Sequence, residues 1–116
     1  MLFPYSPFPT AKQFVIIAES TTDRLASLIE DQDPEGMVEI DFLGDILNVY
    51  SPHGQYVINK HTAAREIWLA SPRSGPYHFA YDQNTKKWVD SKGFELYKIL
   101  EEELKEFIKI DLKLLQ

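Results

Sequence analysis

The sequence predicts an α+β fold: a two-layer α/β sandwich, with an antiparallel meander sheet of five to six strands and the N- and C-terminal helices packed on one face (α-β-β-β-β-β-β-α). Three observations predict it. Segments of helical periodicity lie at the two ends of the chain, and short alternating β-type runs fill the middle. The links between those runs are of hairpin length, whereas a parallel crossover needs about a dozen residues or more. One helix at each end of a single meander is packed most simply by laying both on the same sheet face, which leaves the other face open.

Each element follows from local chemistry. Pro4, Pro7 and Pro9 keep the first residues extended, so 1–9 is read as a flexible N-terminal segment and 10–116 as one domain. Thr10 and Gln13 form a capping-box pattern, and Phe14, Ile17 or Ala18, Leu25, Leu28 and Ile29 recur at helical spacing. A first helix is therefore expected from Ala11 to Asp31, stopped before Pro34 and Gly36. Val38 to Phe42 alternates as a strand, and Gly44-Asp45 turns the chain into Ile46 to Tyr50. After the turn at Pro52-His53-Gly54, strands are expected at Gln55 to Lys60, Arg65 to Ala70, Tyr77 to Tyr81 and Lys87 to Val89. A second helix from Phe94 to Ile108 buries Leu96 or Tyr97, Leu100, Leu104 and Phe107 or Ile108, leaving Glu101, Glu102, Lys105 and Glu106 in water.

Composition excludes several chemistries. The absence of cysteine in the 116 residues removes disulfides, thiolate metal sites, cysteine-ligated clusters and cysteine nucleophiles, so any metal must be held by oxygen or imidazole. No apolar run approaches the ~20 residues of a membrane span, and neither a signal peptide nor an Arg-rich transit pattern opens the chain. The expectation is a soluble protein of the bacterial cytoplasm or, for a mature eukaryotic form, of the mitochondrial matrix. The net charge of −6 is unevenly spread. Nine carboxylates from Glu19 to Asp45 face Arg24 alone, net −8, while Ile46 to Leu100 carries net +3. A cation or a basic protein suits such an acidic end, and nucleic acid does not.

Glu19, Asp23 and Glu30 lie within about 40° of one another on the first helix. Asp31, Asp33 and Glu35 follow, and Glu39 and Asp41 share the strand parity opposite Val38, Ile40 and Phe42. Carboxylates without histidine or thiolate suit hard cations, iron and calcium alike, in open and weakly selective sites. An EF-hand is excluded, because Phe42 stands where its bidentate glutamate is needed and Pro34 stiffens the loop. The bland alternative is a solvated, solubilising helix face. His53, His61 and His78 have no helical metal-ligand pairing, although His61 and His78 are candidates for the open sheet face, and no nucleophile elbow, phosphate loop or dinucleotide motif is present. In Glu66-Ile67-Trp68-Leu69-Ala70, alternation sends Ile67 and Leu69 inward and Trp68 outward, unless a one-residue bulge turns it to the core, with Asn59 outward beside it on the previous strand. An aromatic ring on an open face fits a docking surface.

Val57-Ile58-Asn59-Lys60, Ile67-Trp68-Leu69, Ser71-Pro72 and Ser74-Gly75-Pro76, together with the order of elements from Glu19 to Ile108, resemble the frataxin family. The resemblance implies iron bound weakly by an acidic ridge, at positions matching Glu19, Asp23, Glu30, Asp31, Glu39 and Asp41. It implies a role in iron–sulfur cluster assembly through contact with a cysteine desulfurase and its scaffold protein, rather than enzymatic turnover in the usual sense. Asn59, Lys60 and Trp68 match the docking motif, with His61 and His78 as departures on the same surface. An iron-free monomer with iron-dependent oligomers is expected, with no nucleic acid or membrane partner. The apolar tail Ile110, Leu112, Leu114 and Leu115 is expected to fill the groove between the helices, as such tails do in that family, and Glu101 to Glu103 to be plain solvated charge.

Overall fold

The computed structural model describes residues 9–109 and 113–114; the expected N-terminal segment, apart from residue 9, and the tail residues Ile110, Leu112 and Leu115 lie outside them. The elements are α1 (Ala11–Asp31), β1 (Glu39–Leu43), β2 (Ile46–Ser51), β3 (Gly54–His61), β4 (Glu66–Ser71), β5 (Gly75–Asp82), β6 (Lys87–Val89) and α2 (Leu96–Ile108). The strands form one antiparallel sheet in sequence order, β1-β2-β3-β4-β5-β6.

The caps explain where the helices begin. Thr10 Oγ1 accepts from Gln13 N at 3.1 Å and Gln13 Oε1 accepts from Thr10 N at 2.9 Å, closing the capping box. Glu95 caps α2, its carboxylate accepting from the backbone N–H groups of Tyr97 and Lys98. The second helix begins at Leu96, two residues later than the periodicity predicts, because Phe94 N is held in a turn by the Asp90 carboxylate.

Phe14, Ala18, Leu25 and Ile29 of α1 and Leu96, Leu100 and Leu104 of α2 are fully buried against Leu47, Tyr56, Ile58, Ile67 and Phe79 of the sheet. Trp88 closes one end of this core, edge-on to Phe14 with ring centroids 5.8 Å apart, and donates its indole N–H to Thr21 Oγ1 at 2.9 Å. Part of the expected tail packing is present: Leu114 is buried, its N–H donates to Glu101, and the Lys113 backbone exchanges two hydrogen bonds with the Gln32 side chain. Gly54 sits at φ +139°, and a Cβ there would come within 2.6 Å of Pro72 Cβ, so the β2–β3 turn requires glycine both for its backbone angle and for the close approach.

Glu103 departs from the expected solvated charge. Its carboxylate accepts from the Tyr56 hydroxyl at 2.8 Å, from Ser71 Oγ at 2.6 Å and from Ser74 Oγ at 2.5 Å, tying α2 to β3 and to the β4–β5 turn. Burial, reinforced by this carboxylate, pushes the Tyr56 hydroxyl well above its ordinary range. One turn further, Arg73 pairs with Glu106 and lies over the Phe107 ring, a second clasp at the same end of the helix.

Candidate functional site

The register assembles the open face of the sheet row by row. Leu43 pairs with Ile46, Ile46 with Asn59, Asn59 with Trp68, and Trp68 with His78, so these five residues lie in one row across β1 to β5. Their strand neighbours Leu47, Ile58 and Leu69 point the other way and are buried beneath the helices. Alternation in the sequence thus places Trp68 and Asn59 on the open face, as expected.

The indole is not bare. His61 stacks on one side of Trp68 at 3.8 Å between centroids and 12° between planes, and His78 stacks on the other at 4.1 Å and 7°. The indole N–H donates to Glu66 Oε1 at 2.8 Å. Packing between two imidazoles, with its one polar atom satisfied, fixes the indole in a single orientation and leaves it half-buried. Sequence reasoning placed the two histidines on this face but not the stack, which depends on a cross-strand pair and a diagonal neighbour that only the register defines.

Lys60 lies elsewhere. It pairs with Ile67 on the inward parity shared with Ile58, and its ammonium sits between Glu19 Oε2 at 3.1 Å and Asp45 Oδ1 at 3.3 Å, with the side chain only 8% exposed. It is a counter-ion of Glu19 and Asp45 and lies outside the Asn59–Trp68–His78 row.

The acidic residues divide into groups. Glu19 and Asp23 of α1 line a shallow cleft of about 280 Å³ with Asp45, Lys60 and Phe42 at the β1–β2 hairpin. Glu39 and Asp41 are exposed on β1 and point to the opposite sheet face from Ile40, while Glu30 and Asp31 are exposed at the far end of α1. Asp33 is withdrawn from this edge, since it is buried and its carboxylate accepts from Met37 N at 2.9 Å and Val38 N at 2.8 Å, holding the turn into β1. Among the described residues no three histidine, aspartate or glutamate side chains converge as a metal-ligand set. The donors on offer are carboxylate oxygens, the ligand type that hard cations accept.

Comparisons with known proteins agree with this architecture. The model of the frataxin-like domain family matches residues 8–110. A mitochondrial frataxin of Dictyostelium discoideum is 38% identical over 97 residues, covering 83% of this chain and 50% of that protein. One from Arabidopsis thaliana is 34% identical over 105 residues, covering 86% and 56%. The chain thus spans about half the length of these curated relatives. Among solved structures, the trimeric frataxin of the yeast Saccharomyces cerevisiae in its ferrous complex superimposes with a TM-score of 0.72 at 27% identity, over 93% of this chain and 94% of that one. The frataxin of Psychromonas ingrahamii superimposes with a TM-score of 0.71 at 23% identity, over 91% and 98%, a likeness of fold. By the extent of these matches and by its helix–meander–helix sandwich, the chain belongs to the frataxin-like domain family.

Proposed function

We propose that the protein is an iron-binding adaptor of iron–sulfur cluster assembly, which brings ferrous iron on its acidic edge to a cysteine desulfurase–scaffold complex that it engages through the Trp68 face. The observation that carries this reading is that two groups of side chains stand in different places: exposed carboxylates lie on α1 and on the edge strand β1, while an ordered His61–Trp68–His78 stack stands further across the open sheet, over β3 to β5, with Asn59 in its row. Family membership supports the iron and cluster-assembly part, and the ferrous complex of the yeast relative supports iron as the ion. Glu19, Asp23, Glu30, Asp31, Glu39 and Asp41 would share the cation loosely, each offering one or two oxygens while water completes the shell. Asn59, His61, Trp68 and His78 would contact the partner. Residues 10–116 serve as one working unit, and the trimeric yeast relative favours assembly of several copies on iron loading. The mitochondrial relatives favour a matrix location over the bacterial cytoplasm expected above.

Two other readings make different predictions. The acidic edge could serve only to dock a basic desulfurase, with iron incidental, or it could oxidise ferrous iron with oxygen. Pull-down of the desulfurase and scaffold by the parent, by Trp68→Ala and by Glu19→Lys/Asp23→Lys separates the faces. Loss of capture with Trp68→Ala and retention with the charge reversal supports the adaptor, whereas loss with the charge reversal alone supports acidic docking. Oxygen uptake faster than that of iron alone would favour oxidation.

A further inference from the structure

The α1 flank opposite Glu19 and Asp23 is built differently. Ser20, Thr21 and Arg24 from α1, the β5–β6 turn and the start of α2 enclose a half-open groove of about 530 Å³, within the range of small-ligand sites. Its polar backing is already satisfied from within. Trp88 donates to Thr21 Oγ1, Tyr97 donates to the Thr21 carbonyl at 2.9 Å, and Thr21 donates in turn to the Ile17 carbonyl at 2.8 Å. The aromatic parts of Tyr81 and Tyr97 therefore form apolar walls over a buried Trp88 floor.

The lining charge runs against that of the chain. Arg24, Lys86 and Lys87 line the groove with Glu95 as the sole carboxylate, and Glu95 is engaged in capping α2. Among the described residues Arg24, Lys86 and Lys87 form no ion pair. Arg24 stands close enough to Tyr97 to oppose the effect of burial, which nonetheless pushes that hydroxyl up to about 12. Lys86 is held by a left-handed backbone, φ 59°, its N–H donating to the Asp82 carbonyl at 2.7 Å, so the turn places it at a defined point on the rim. A guanidinium and ammonium groups over aromatic walls match a ligand with an anionic head and a flat body.

We propose that this groove is a binding site for a small aromatic anion, a phosphate or carboxylate carried on a planar ring, with the anion held by Arg24 and Lys86 and the ring lying against Tyr81 and Tyr97. The site is separate from the acidic edge and from the Trp68 row, so its test is independent of the iron reading. Amide-resolved NMR of the full chain is titrated with adenosine 5′-monophosphate and with indole-3-acetate, which distinguish a nucleotide from an aromatic carboxylate, and with adenosine and inorganic phosphate as half-ligand controls. Saturable shifts centred on Thr21, Arg24, Lys86 and the Trp88 indole N–H are expected for at least one aromatic anion, with a dissociation constant of about 1 mM or tighter. Each half-ligand should bind at least about tenfold more weakly. Arg24→Gln/Lys86→Asn, at exposed positions and with asparagine suited to the left-handed backbone, should keep the parent spectrum and weaken binding at least about tenfold. The proposal is overturned if neither aromatic anion gives saturable shifts, if shifts scatter over the surface, if a half-ligand binds as well, or if the double variant binds unchanged.

Discussion

Glu103 joins partners that the sequence keeps far apart. Tyr56 is wholly buried, and its hydroxyl relies on that carboxylate. Glu103→Ala should lower stability by about 1–3 kcal/mol, the usual cost of leaving a buried polar group unpaired, and shift the urea midpoint with little change in slope. Glu103→Gln keeps one acceptor oxygen and should lose less; equal stability of parent and Glu103→Ala would refute the clasp. Tyr97 makes a prediction in pH. Its pKa is raised from 10.0 to about 12 by burial, so the fold favours the neutral hydroxyl. That contribution is complete below pH 10, the ordinary value, and is lost as pH rises through about 12. The alkaline unfolding curve of Tyr97→Phe should accordingly fall less steeply across this window than that of the parent, and parallel curves would contradict the assignment. Of these residue-scale features, the outward Trp68 was legible from alternation alone, whereas the Glu103 clasp was not, because Ser71, Ser74 and Tyr56 meet it only through tertiary packing.

At the scale of elements, α1 presents two unlike flanks from one helix. Glu19 and Asp23 face the β1–β2 hairpin, while Ser20 and Arg24 face the β5–β6 turn. The bounds of α1 were readable because the capping box and the apolar period are both written locally. For Lys60 parity decides the placement: alternation with Ile58 puts it inward, where its ammonium occupies the space between Glu19 and Asp45. It must then compete with any cation arriving there. Lys60→Gln should strengthen ferrous binding roughly two- to fivefold, in line with the ~0.4–1 kcal/mol of an ion pair with exposed partners. Calorimetric titration checks this, and unchanged or weaker binding would count against Lys60 as a competing counter-ion.

Across the whole molecule, the sandwich buries one sheet face and leaves the other open. The helices cover Leu47, Ile58, Ile67 and Phe79, so the opposite face is free to display the Trp68 row, while the β1 edge and α1 carry the carboxylates. Strand order and class were legible because every strand connection is short. The division of the acidic residues was not, since Asp33 looks like its neighbours in sequence yet is spent on the turn into β1. On the proposed function, iron binds at the acidic edge, apart from the Trp68 row. Anaerobic titration of isotope-labelled protein with ferrous iron, read amide by amide, tests it most directly: perturbation should be confined to the stretch from Glu19 to Asp45 and to Lys60, with the Asn59–Trp68–His78 row unchanged. Uniform perturbation, none, or a response centred on the histidines beside Trp68 would overturn iron binding at this edge.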